Sequence, residues 1–109
     1  MADAITLDDF KKVELRVAKV LEAKPHPNAD KLLVLKVDVG TEQKQIVAGI
    51  RAHYAPEDLV GRCIIVVNNL QPAMLRGEES NGMLLAASDS EKVVLLRPEV
   101  DMAPGSTIR

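Results

Sequence analysis

The stretch NLQPAMLRGEESNGMLLAAS, residues 69–88, contains the side chains of this chain that are best suited to binding chemistry. Arg76 can form charge-assisted hydrogen bonds to an anion, and Ser80 can both donate and accept hydrogen bonds. Met74 and Met83 offer polarizable thioethers that pack well on irregular apolar surfaces. The stretch is punctuated by Gly77 and Gly82 and also carries Glu78 and Glu79. We therefore expect a loop here that presents ligand groups between two core strands.

Nothing in the chain has the pattern of a catalytic or metal site. His26, His53 and Cys63 are the soft metal ligands of the sequence, and their spacing matches no zinc motif, which needs four such ligands. Cys63 opens an apolar strand, and Ser80 has neither a histidine nor a lysine near it in sequence, so neither is an activated nucleophile. We predict no enzymatic activity, no cofactor and no metal, with both histidines at the surface.

Length and composition indicate one ordinary globular domain, residues 1–109, of which 47% are hydrophobic and 28% charged. The single cysteine and the lack of a long apolar run predict a soluble cytoplasmic protein. With 14 basic and 16 acidic side chains the net charge is −2, so the domain lacks the basic balance typical of nucleic-acid binders. Phe10 and Tyr54 are the only aromatic residues, too few for a platform that stacks successive bases.

Alternation of apolar residues, together with Gly and Pro, predicts a chain of short strands. The predicted elements are a helix over 6–12, a strand over 13–24 with a bend or bulge after Val17, a hairpin over 31–50, a helix over 55–61, and strands over 62–70, 82–88 and 92–98. This order is that of the OB-fold, a five-stranded, partly open Greek-key barrel with a short helix between strands three and four. We predict this all-β fold, with the barrel over 13–88 and small extensions at 6–12 and 90–109.

The basic residues Lys31, Lys36, Arg51, Arg62 and Arg76 are scattered along the sequence. In an OB barrel, however, the loop after the first strand and the loop between the fourth and fifth strands meet at one edge. The fold therefore predicts that Lys31 lies toward Arg76. A local edge of this kind can bind phosphates even in a weakly acidic protein.

Four segments resemble the tRNA-binding domain family: FKKVELRVAKVLEAKPHPNADKLLVLKVDVG, QIVAGI, NLQPAMLRGEESNGMLLAA and LLRPE. This family includes the C-terminal appendage of many methionyl-tRNA synthetases, free-standing structure-specific tRNA-binding proteins and the endothelial-monocyte-activating polypeptide domains. The resemblance covers residues 7–109. It implies an OB-fold that binds tRNA by shape, with little sequence preference and without catalysis, in support of protein biosynthesis.

The resemblance also implies a set of RNA-binding residues. These are Asn28, Lys31, Asn69, Met74, Arg76, Ser80 and Met83. Lys31 and Arg76 would contact phosphates, while Ser80 and the asparagines would hydrogen-bond 2′-hydroxyl or backbone groups. Ser80→Ala is then expected to weaken binding and leave folding intact. Glu78 and Glu79 should point away from the phosphates or pair with Arg76.

Partners follow from the same resemblance. Free-standing bacterial members are homodimers, and residues 6–12 and 90–109 would supply the contact here. The chain could act alone or as part of a longer synthetase, and the sequence leaves both open. Two alternatives remain: a small dimeric secretion-type chaperone that binds polypeptide in an apolar groove, and an assembly module of a synthetase complex.

Overall fold

The structure, a computed structural model, describes residues 2–109. Within this range the chain forms two short helices and nine β-strands. In chain order these are α1 (Leu7–Lys11), β1 (Leu15–Pro25), β2 (Leu33–Asp38), β3 (Gln43–Ala48), α2 (Pro56–Leu59), β4 (Cys63–Val67), β5 (Ala73–Leu75), β6 (Glu78–Ser80), β7 (Met83–Leu84), β8 (Ala86–Ser88) and β9 (Val93–Leu95). Neither of the two helices within residues 2–109 is long and apolar enough to cross a membrane.

Five antiparallel strands form the barrel in the order β3-β2-β1-β4-β7. The barrel nearly closes because the segment between β6 and β7 lies against β3. There the Asn81 N–H donates a hydrogen bond to the Gln45 carbonyl at 2.8 Å. Leu35, Ile46 and Ile64 are among the fully buried side chains that fill its core. The predicted fold class, a small five-stranded barrel with a helix between the third and fourth strands, is confirmed.

The two ends of the chain pack along β1. Thr6 caps α1 by accepting a hydrogen bond from the Asp9 N–H at 3.0 Å, and the predicted helix differs from α1 only at its terminal residues. The C-terminal segment runs antiparallel beside β1, with the Val17 N–H donating to the Ser106 carbonyl at 2.9 Å. The predicted bulge is present, but it lies between Val20 and Glu22, further along the strand than expected.

The predicted loop between the fourth and fifth barrel strands is instead a β-hairpin, β5–β6. Its turn consists of Arg76 and Gly77, with φ values of 55° and 91°. Two successive positive φ values are typical of the tight hairpin turn whose twist matches its strands. The sequence signal was missed because asparagine or glycine usually precedes the glycine in this turn. The predicted strand 82–88 is likewise divided at Leu85 into β7 and β8.

A close backbone contact joins the C-terminal segment to the β2–β3 turn. Gly40 and Gly105 both have positive φ, and a Cβ at Gly105 would lie 2.7 Å from the Val39 carbonyl oxygen. We expect Gly105→Ala to lower the free energy of unfolding by about 2–4 kcal/mol, from backbone strain plus overpacking. Urea denaturation measures this loss. Gly61→Ala is the matched control because Gly61 has a similar φ and open space around it. This variant should lose only about 1 kcal/mol of unfolding free energy. Equal losses in the two variants would show that close packing at Gly105 adds nothing.

Candidate functional site

Lys31 and Arg76 line one open hollow of about 400 Å³, together with Ala29, Asp30 and Leu32. We call this feature the basic hollow. The loop between β1 and β2 supplies Lys31, and the tip of the β5–β6 hairpin supplies Arg76. Among residues 2–109 neither cation has a carboxylate within ion-pair distance, since the ion pairs found join Lys12 to Asp9 and Arg16 to Glu14. The two unpaired charges are therefore available to an anion.

The backbone at Arg76 is in the left-handed region, which is uncommon for a residue with a side chain. This conformation costs about 1 kcal/mol relative to an ordinary turn residue. Strained positions of this kind occur often at functional sites. The hairpin therefore carries a guanidinium at its tip although glycine or asparagine at position 76 would cause less backbone strain.

His26 joins the two elements that form the basic hollow. Its side chain is 2% exposed, and its Nε2 lies 2.8 Å from the Leu75 carbonyl oxygen in β5. Its Nδ1 accepts a hydrogen bond from the Asn28 N–H at 2.9 Å, so the proton is on Nε2 and is donated to Leu75. The prediction that His26 lies at the surface was wrong. The imidazole is instead a buried link between the Lys31 loop and the Arg76 hairpin.

Besides Lys31 and Arg76, the exposed members of the predicted set include Asn28, Met74 and Met83. The Asn28 side chain lies in the same loop as Lys31, and Met74 is 64% exposed on β5. Met74 pairs with Glu79 across the hairpin. Glu79 is exposed and Glu78 half-buried, and neither forms an ion pair with Arg76 in the part of the chain that the structure describes.

Ser80 differs from its predicted role because it is buried, with only 5% of its surface exposed. Its Oγ accepts a hydrogen bond from the Val47 N–H at 2.9 Å and donates one to the Gly82 carbonyl at 3.0 Å. The hydroxyl thus bonds β3 to the segment between β6 and β7 and helps to close the barrel. The predicted 2′-hydroxyl contact would have to compete with both bonds.

The burial of Ser80 reverses the expected effect of Ser80→Ala. Removing the hydroxyl leaves the buried Val47 N–H and the Gly82 carbonyl without this partner, and we expect a loss of about 1–3 kcal/mol in the free energy of unfolding. Urea denaturation tests this, with the exposed Ser88→Ala in β8 as the control. Unchanged stability together with weaker RNA binding would restore the role predicted from sequence.

Asn69 lies apart from the basic hollow. Its Oδ1 accepts a hydrogen bond from the Glu14 N–H at 2.8 Å, and its Nδ2 donates to the Lys12 carbonyl at 2.7 Å. The amide therefore anchors the segment between α1 and β1 to the end of β4. Its hydrogen-bonding groups are occupied by the backbone, so the structure does not bring Asn69 together with Lys31 and Arg76.

An apolar groove of about 330 Å³ lies beside the β5–β6 hairpin. Its lining includes Val47, Ala48, Leu70, Leu75, Met83 and Leu84. Met83 is about half exposed, so it is a surface residue that lines the groove and not part of the core. Sequence reasoning did not find this groove, because the hairpin that forms one of its walls was taken for a loop.

The family model described as "Putative tRNA binding domain" matches residues 15–107. A methionine--tRNA ligase of Thermotoga maritima is 57% identical over 106 residues, which are 97% of this chain and 17% of that protein. The chain thus spans about a sixth of the length of this relative.

Two solved structures are similar over almost the whole chain. A MetRS related protein from Pyrococcus horikoshii has a TM-score of 0.92 and 34% identity, and the match covers 99% of this chain and 100% of that one. The chaperone CsaA from Bacillus anthracis has a TM-score of 0.89 and 31% identity, covering 98% and 100%. Both likenesses support the described barrel and its two extensions.

Proposed function

The chain belongs to the tRNA-binding domain family, as its sequence predicted, and from this premise we propose that it binds folded tRNA by shape, without catalysis. The proposal depends on one observation: Lys31 and Arg76 lie in the same basic hollow, and neither forms an ion pair within residues 2–109. Cations of this kind contact phosphate oxygens and fix the orientation of the RNA. The flanking Asn28 side chain supplies a neutral donor and acceptor for sugar hydroxyls.

The composition supports recognition of shape. With two aromatic residues the chain has no ladder for stacking a single strand. Folded RNA, in contrast, is recognised largely through phosphate and 2′-hydroxyl positions. A titration of an intact tRNA transcript and of an unstructured RNA of equal length tests this proposal. Tighter binding of the tRNA supports it, whereas equal binding of both RNAs would contradict recognition of shape.

We propose further that two copies form a twofold dimer through their chain extensions. Large apolar side chains are exposed on both extensions of the described chain. They are Ile5, Leu7, Phe10 and Val13 near α1, and Val94, Leu96, Val100 and Met102 in and after β9. Exposed apolar groups concentrated in this way commonly mark a protein interface, and a twofold axis lets each copy use the same surface.

A charged substitution on α1 tests the dimer. We expect the wild type to sediment as a dimer and Leu7→Glu as a monomer, because the introduced carboxylate would be buried without a partner. Val60→Glu is the control, since Val60 is also apolar and about half exposed but follows α2, outside both extensions in sequence. A monomeric wild type, or a dimer that survives Leu7→Glu and dissociates with Val60→Glu, would contradict this interface.

The relatives suggest where such a domain works. We propose that it supplies tRNA affinity either as a free-standing protein or attached to a methionine--tRNA ligase, in the cytoplasm. The likeness to a protein titled a chaperone, together with the apolar groove, keeps polypeptide binding as the second candidate. The unpaired cations of the basic hollow favour RNA, because an apolar polypeptide would make no use of them. An assembly module without RNA affinity would bind neither ligand in the titration.

A further inference from the structure

The apolar groove and the basic hollow have no lining residue in common, but their linings meet at two places. Leu75 lines the groove, and the next residue, Arg76, lines the hollow. On the barrel side Gly49 lines the groove, and the Cβ position of Gly49 is 3.8 Å from Cδ2 of Leu32, which lines the hollow. The two features are therefore neighbours, and a ligand that crosses the boundary between them would contact both.

The two features differ in chemistry in a way that limits the ligand. The hollow offers two cations that form no ion pair in the described part of the chain, together with the carboxylate of Asp30. The groove offers aliphatic and thioether surface from Leu70, Leu75 and Met83. The hydroxyl of Ser80 in the groove is already bonded to two backbone groups. The matching ligand carries an anion a short distance from a weakly polar part. Nucleotides have this composition, with the phosphate and the base joined by a sugar.

We propose that the groove takes one unpaired nucleobase of the bound tRNA, with a phosphate of the same nucleotide at Lys31 and Arg76. This inference rests on the proposed function and adds to it a base site formed by Leu70, Leu75 and Met83. Contact with the face of a base is possible for all four bases, so such a site adds affinity without sequence preference. The volume of about 330 Å³ lies within the range of small-ligand sites.

Nucleotide fragments test the base site directly. The ¹³C-methyl signals of Met74 and Met83 are followed by NMR during titrations with AMP and with ribose 5-phosphate. The proposal predicts that AMP shifts the Met83 methyl, leaves Met74 unchanged and binds about fivefold more tightly than ribose 5-phosphate, from the apolar area buried. Equal affinities, or an unchanged Met83 methyl, would overturn it.

Methionine variants test the site with intact tRNA. Met83→Ala is expected to weaken tRNA binding about fivefold with an unchanged salt dependence, because an apolar contact releases no counterions. Val60→Ala is the control, because Val60 is apolar, about half exposed and lines neither the groove nor the basic hollow; this variant should bind as the wild type does. Wild-type affinity in Met83→Ala overturns the base site and leaves the proposed function intact, whereas a wild type that does not bind tRNA overturns both.

A competition experiment distinguishes the base site from a polypeptide site. The competitors for AMP bound at Met83 are tRNA and an unfolded polypeptide, carboxymethylated lactalbumin. If the polypeptide displaces AMP and tRNA does not, the base site is overturned and polypeptide binding is favoured.

Discussion

Replacing both Lys31 and Arg76 with alanine should weaken tRNA binding about a hundredfold. Each charge-assisted hydrogen bond to a phosphate is worth about 1.5–3 kcal/mol, or at least about tenfold in affinity. Each lost phosphate contact should also reduce the slope of log K against log salt by about one. Because both side chains are exposed and lack ion pairs among residues 2–109, thermal stability should change little. Fluorescence titration at several salt concentrations measures affinity and slope together.

Charge-matched controls separate a local contact from a general electrostatic effect. Lys92 and Arg97 are exposed cations in the turn before β9 and just after it. The double variant Lys92→Ala and Arg97→Ala lowers the net charge by the same amount. It leaves Lys31 and Arg76 in place, so it should retain most of the affinity for tRNA. If the two double variants lose affinity equally, binding depends on overall charge and the basic hollow has no special role.

Loss of His26 should affect both folding and binding. His26→Ala leaves the Leu75 carbonyl and the Asn28 N–H without their imidazole partner, which should lower the free energy of unfolding by about 1–3 kcal/mol. It also releases the hairpin that carries Arg76 from the loop that carries Lys31. We therefore expect tRNA affinity to fall about tenfold, with the salt slope reduced by about one, although both cations are still present.

Two amide variants distinguish the link between the elements from the local turn. In His26→Gln the side-chain Nε2 can still donate to the Leu75 carbonyl. The shorter side chain of His26→Asn keeps an oxygen that can accept from the Asn28 N–H but does not reach Leu75. If the link positions Arg76, the glutamine variant should bind tRNA more tightly than the asparagine variant and show the larger salt slope. Equal salt slopes in the two variants, or a wild-type slope in His26→Ala at a temperature where it is folded, would limit His26 to a structural role.

The barrel could be predicted from sequence because its signals are local. Alternation in β1–β3, the apolar run of β4 and the Pro56 helix start each indicate their own element. The OB order then placed Lys31 near Arg76, and the shared hollow confirms that neighbourhood. The β5–β6 hairpin was not predictable by the same reasoning, because its turn uses arginine at a position with φ of 55°, where a propensity rule expects asparagine or glycine.

The errors within the site concern polar side chains with long-range partners. His26, Asn69 and Ser80 bond to backbone groups 33 to 57 residues away in sequence. Sequence shows the residue type but not whether its hydrogen-bonding groups are already occupied in the fold. A buried histidine and an exposed histidine therefore look alike until the two loops are seen together. The positions of Lys31 and Arg76 were easier to predict, since exposed cations at a known barrel edge need no specific hydrogen-bond partner.

The most direct measurement is a map of the tRNA contact on ¹⁵N-labelled protein by transverse-relaxation-optimised NMR. The chain is titrated with an intact tRNA, and perturbations of the backbone amides are followed along the sequence. We expect the largest changes in residues 28–32 and 73–83, around the basic hollow and the apolar groove, and little change in residues 5–13 and 94–102. Changes confined to those two extensions, or no changes at all, would contradict this expectation.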